Sequence, residues 1–142
     1  MYINKFESSK QVRECAQYYI QLLGLQDWRI VFELGIPKEE SSAGECYSIF
    51  EEKCAKIIIN KNEPSDENYL KQPQELVLIH ELIHCKIELY DNDRLEGRIL
   101  YQIYHTLIDD WARSVFYARY GLTHKDMYLE EEDEVQCDSS ST

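Results

Sequence analysis

The most specific chemistry in this sequence lies in the run His80-Glu81-Leu82-Ile83-His84. Side chains four apart on an α-helix share one face, so His80 and His84 reach a single ion, and neutral imidazole suits zinc. Glu81 is turned about 100° from His80. Its carboxylate can therefore stand beside the ion and act as general base on a metal-activated water instead of ligating. The competing reading is of ordinary helix histidines. It leaves three polar side chains in a stretch preceded by Val77-Leu78-Ile79 and spaced by Leu82 and Ile83, and polar groups so placed need a compensating partner.

A catalytic zinc takes three protein ligands and keeps a position open for water. Glu88 continues the i, i+4 row, but ligands from one side of one helix cannot surround an ion. Glu96 is the favoured third ligand. If the next helix folds back after a turn at Asp91 to Asp93, Glu96 runs alongside Ile87 and Glu88, near the level of His84. It also shares a stripe with Leu100, Ile103, Leu107 and Trp111, which is expected to face the core. Against this, Asp93-Arg94-Leu95-Glu96 has capping-box spacing, in which Glu96 would only satisfy a backbone N–H. His105 lies about 180° around the helix from Glu96, on the side of Tyr101, Ile108 and Ala112, where it reads more often as a partly buried structural histidine and is the alternative ligand. Asp109, Asp91 and Asp93 trail both. Cys85 is expected in the helix packing surface, and His124 has no evident partner.

The elements that must position these groups follow from periodicity. Ser8 to Leu23 carries one apolar stripe, has capping-box spacing at Ser8 and Gln11, and is followed by Gly24, which marks a first helix. Trp28 to Leu34 alternates with period two and reads as a half-buried strand. Glu45 to Phe50 and Cys54 to Asn60, separated by Glu51-Glu52-Lys53, read as a β-hairpin. Lys61 to Gln72 has loop composition, and Pro73 opens a helix expected to run to about Tyr90. A second long helix is expected from Arg94 to Tyr120, capped by Gly121 and antiparallel to the first. The fold class is therefore α+β: an N-terminal helix, a small three-stranded sheet, then an antiparallel pair of long helices carrying the metal site.

Composition narrows the classes. A chain of 142 residues, 44% hydrophobic, has the size and apolar content of one folded domain. This domain is expected over residues 1–128, with an acidic, Ser-ended, disordered tail over 129–142. The net charge of −12 disfavours nucleic acid and anionic membranes as partners. Six of the 27 acidic residues fall in the tail, which has no Lys or Arg, so half of that charge belongs to it and the exclusion is weaker for the domain. The opening residues lack a signal-peptide pattern and the apolar-rich run from Ile99 to Ile108 is too short to span a bilayer, so a cytoplasmic location is expected. Five widely spaced cysteines indicate neither a disulfide framework nor a zinc ribbon.

On the His80 to His84 motif and the order of elements from Trp28 to Tyr120, the chain resembles the zincin metallopeptidases. It is most similar to the small ones often encoded by phages and prophages. The resemblance implies a minimal zincin-like domain that binds Zn2+ through His80 and His84, uses Glu81 as general base and hydrolyses a peptide or protein substrate. In the gluzincin arrangement the third ligand is a glutamate on the next helix, matched here by Glu96. Larger gluzincins carry an Asn before that glutamate and an Asp four residues after it, where this chain has Leu95 and Leu100. The third-histidine pattern of metzincins and the cysteine ribbon of some DNA-repair zincins are absent.

The family further implies that a strand beside the active helix pairs with an extended substrate. Here that would be Glu45 to Phe50 or Cys54 to Asn60, with a plain core hairpin as the rival reading. An oxyanion stabiliser is also implied, which the eleven tyrosines leave open. The alternative function is a metal-stabilised, non-catalytic protein-interaction module, such as a phage factor that binds a host protein. A purely structural site has no need of Glu81. With no inhibitory pro-segment evident, a narrow substrate or a partner requirement is expected. Oligomeric state is left open.

Overall fold

The computed structural model describes residues 1–62, 72–87 and 95–127. Ser8 starts α1 (Ser9–Leu22) by accepting the Gln11 N–H at 3.1 Å, while the Gln11 side chain accepts the Glu7 N–H at 2.7 Å. The helix ends where Gly24 takes φ +70° and the Leu25 N–H returns to the Ile20 carbonyl, a left-handed stop that favours glycine. Val12, Ala16, Tyr19 and Leu23 form its buried face.

Three strands follow: β1 (Arg29–Gly35), β2 (Gly44–Ile49) and β3 (Cys54–Asn60), in sheet order β1-β3-β2. The hairpin is closed by a short 3-10 turn at Phe50–Glu52 and by Lys53, which sits at φ 49°. β3 is central, antiparallel to β2 with Cys46 opposite Ile57, and parallel to β1 with Phe32 opposite Ile57. Ile57 and Ile59 are fully buried. β2 is left as an edge.

α2 (Gln74–Ile83) packs against α1, α3, β2 and β3, and almost every side chain in it is buried. The amides of Gln74 and Glu75, which lack helical acceptors at a helix start, donate to the carbonyls of Asn4 and Ile3. α3 (Leu95–Tyr120) runs antiparallel to α2, since Glu75 meets Tyr120, His80 meets Asp109 and the His84 ring lies beside that of His105. A short α4 (His124–Met127), not anticipated from the sequence, follows. The fold is α+β, with an N-terminal helix, a three-stranded mixed sheet and a long helix against the central one.

Two expectations are corrected. α2 ends at Ile83 instead of continuing to Tyr90: Cys85 and Lys86 donate to Leu82 and Ile83, three residues back, and this tighter winding buries Cys85 beside Cys46 of β2. The stripe Leu100, Ile103, Leu107 and Trp111 does not face the core and is 38–51% exposed. The buried face of α3 is built from Ile108, Ala112 and Phe116, with Tyr101 and His105 half-buried on the same row. The expected turn at Asp91 to Asp93, Glu88 and the acidic tail lie outside the described residues. Among the described residues, no helix is long and apolar enough to cross a membrane.

Candidate metal centre

His80 projects from the last turn of α2 and His84 follows directly after it. Their Nε2 atoms are 3.2 Å apart. His105 enters from α3, its ring centroid 4.9 Å from that of His80 and 5.8 Å from that of His84. Ligating atoms of the three imidazoles all lie within 4.8 Å of one another.

The donor chemistry of this trio fits a metal ion. Asp109, one turn beyond His105, holds the Nδ1 of His80 at 2.8 Å. In the neutral form of His80 this contact fixes the proton on Nδ1 and leaves Nε2 as a lone pair facing the other two rings. Carboxylate, imidazole and metal in series is the usual way a ligand histidine is oriented. Burial, with the neighbouring His80 and His105, lowers His84 to about 4, and burial lowers His105 as well, so both stay neutral and able to ligate near pH 7. The hydrogen bond from His80 holds Asp109 below the usual carboxylate range.

Glu81 is 6% exposed, and burial pushes it up to about 7 against the opposing charge of His80. A cation beside it would draw that value down. With His80, His105 and Asp109 it lines a cleft of about 400 Å³ whose opposite wall is Ser41 to Gly44. That wall is built by residues the sequence did not single out. Buried Asn60 donates to the carbonyls of Glu40 and Ser42 at 2.9 and 2.8 Å, and Glu45 accepts the amides of Lys38 and Glu39. At Gly44 the backbone passes so close to α2 that a Cβ would lie 3.0 Å from Val77 and 3.3 Å from the Glu81 side chain. A second cleft of about 410 Å³ opens on the other side of the trio, lined by His84, Tyr101, Ile87 and Cys46 to Ser48. β2 thus borders both.

No protein-family model, curated protein or solved structure matches the chain.

Of the residues singled out in the sequence, His80, Glu81 and His84 are brought together, and His105 and Asp109 join them. Glu96 does not: it is exposed in the first turn of α3, about 13 Å along the axis from His105 and half a turn around it. The physical reason is the face of α3 that docks. Once Ile108, Ala112 and Phe116 are buried, Glu96 must point outward with Leu100 and Leu107. Cys85 is buried, its sulfur 3.9 Å from that of Cys46, and the His124 ring lies 3.4 Å from the Tyr117 hydroxyl.

Proposed function

We propose that this protein is a zinc-dependent peptidase in which His80, His84 and His105 hold the metal and Glu81 is the general base. The observation that carries the reading is the convergence of three imidazoles from two helices beside a buried glutamate, in a cleft bordered by a sheet edge. Zinc, when bound, supplies a Lewis acid that makes water acidic enough to be deprotonated near neutral pH. The chain's own groups do the rest. Glu81 takes the proton of the attacking water and delivers it to the leaving amine, a task for which its buried place in the cleft beside His80 suits it. Asp109 keeps His80 in its ligating tautomer.

Among the described residues the outer edge of β2 is unpaired and lies beside both clefts, which suits an extended peptide adding as a further strand. Tyr47 and Tyr101 reach the cleft on the His84 side, but the Tyr47 hydroxyl is bound to Glu45. Tyr101, stacked on His105 at 5.8 Å, is therefore the better placed phenol for a developing oxyanion. A structural metal site would be closed by a fourth protein ligand, whereas the described cluster holds three and Asp109 is engaged by His80.

The test is Glu81→Gln. Zinc content is expected to stay stoichiometric by elemental analysis while hydrolysis of an unfolded protein substrate falls by about 10²–10⁴-fold. Full activity in a zinc-loaded variant would end the proposal.

A further inference from the structure

The face of α3 turned away from the histidines carries Ile99, Leu100, Ile103, Tyr104, Leu107 and Trp111, each 38–51% exposed. We infer that this face is a dimer interface that seats the same face of a second copy of the chain. Six large side chains exposed to this degree present roughly 550 Å² of contiguous apolar surface, at the upper end of what a monomer leaves in water. Doubled across a two-fold axis, they can bury up to about 1,100 Å² before any flanking atoms are counted, which clears the roughly 1,000 Å² that a biological interface needs.

Spacing and charge favour a second copy as the occupant. Leu100, Tyr104, Leu107 and Trp111 follow the four-three-four spacing of a coiled-coil seam over about 16 Å of helix. In an antiparallel pairing centred between His105 and Thr106, Leu100 of one copy faces Trp111 of the other. The small, exposed Ser114 and Ala118 continue the stripe and leave room for the opposite helix start at Glu96. The chain as a whole carries −12, yet α3 holds three acids and three bases, so two copies bring neutral helices to the contact. An anionic lipid surface would instead meet an acidic protein. Leu107 lies about 200° around α3 from His105, so pairing leaves both clefts open. The inference is independent of what the histidine site does.

Sedimentation equilibrium of the full chain from about 1 to 100 µM tests it. Reversible dimerisation with a micromolar dissociation constant is expected, the range common for interfaces of this size. Ile103→Glu/Leu107→Glu should be monomeric throughout with unchanged far-UV circular dichroism, and the milder Ile103→Ala/Leu107→Ala should weaken the dimer at least tenfold if the charged variant does not fold. Trp111 emission should shift to the blue as the wild-type chain is concentrated, a shift lost in Trp111→Ala. A wild-type monomer at 100 µM, a dimer that survives the folded variants, or a monomer that associates only with an unrelated protein would each overturn the inference.

Discussion

Glu75 in the first turn of α2 and His84 just past its last both belong to polar clusters sunk into the same core, but their partners differ in kind. The Glu75 carboxylate is 1% exposed and surrounded by donors: the Ile3 amide at 3.0 Å, the Tyr19 and Tyr120 hydroxyls at 2.5 Å each, and Arg119 at 3.3 Å. Burial and the adjacent carboxylate push both hydroxyls up, so they stay protonated as donors, and burial pushes the nearby Cys15 thiol up to about 12. Arg119 in turn lies 4.0 Å over the Tyr18 ring. At the other end, ring nitrogens face ring nitrogens, and the only carboxylate bonded to one of these rings among the described residues is Asp109, on the far side of one of them. A closed polar cluster spends its hydrogen bonds on holding segments together. An open one, with converging ring nitrogens, leaves them free for the metal proposed above.

The largest effect is expected at the closed end. Glu75→Ala leaves two hydroxyls, an amide and a guanidinium buried or half-buried without their acceptor, at about 3–5 kcal/mol. Urea denaturation of the metal-free protein measures it, and a change below 1 kcal/mol would show that the cluster is not holding α1, α2 and α3 together. At the open end the same measurement should move little, because among the described residues the contacts of His105 are with other rings. His105→Ala should instead weaken zinc binding by roughly 10²–10³-fold, or about 3–4 kcal/mol, in a chelator competition, with Glu96→Ala within a factor of two of wild type. The reverse ranking would return the third position to Glu96.

That reversal marks the limit of what was legible in the sequence. The first helix and its caps, the hairpin and the α+β class follow from spacing and local propensity, and they stand. The face of α3 does not, because it carries two apolar rows. Leu100, Ile103, Leu107 and Trp111 form the heavier one and drew the carboxylate Glu96 toward the core. The row of Tyr101, His105, Ile108 and Ala112 is lighter but continues to Phe116 and Arg119, along the whole length that α2 covers. Extent, not bulk, was the usable signal. Asn60, Glu45 and Gly44 carry no signature of their own, since they matter through contacts far along the chain or through the space a missing Cβ leaves. Glu75 was hidden for the same reason.

The open end also predicts an unusual acid response in the metal-free protein. His84 titrates near 4 in the fold against about 6.5 unfolded, so its contribution is complete above 6.5 and is lost as pH falls toward 4. Glu81 titrates near 7 against about 4.5 unfolded, so it destabilises the fold at neutral pH and that penalty is relieved as pH falls through the same window. The two nearly cancel, and His105, lowered like His84, leaves a slight net loss. Wild-type stability should therefore be nearly flat from pH 6.5 to 4.5. Glu81→Gln removes the compensating group and should lose about 2–3 kcal/mol over that range. Parallel profiles for the two proteins would show that the groups do not share an environment.

The smallest expected effect is at the one point where the open cluster resembles the closed one. Asp109 satisfies His80 as the donors around Glu75 satisfy that carboxylate, and it does so on the nitrogen that faces away from the trio. Asp109→Asn keeps the shape but turns an obligate acceptor into a group that can also donate to Nδ1. Whenever it donates, the imidazole proton moves to Nε2 and the lone pair turned toward the other two rings is lost. Zinc affinity should fall by about 10–100-fold, less than for losing a ligand, with metal-free stability within about 1 kcal/mol of wild type, since Asp109 is half-exposed. If the variant instead lost several kcal/mol of metal-free stability and kept its zinc, Asp109 would belong with Glu75 as a tie between helices, and the trio would be oriented by packing alone.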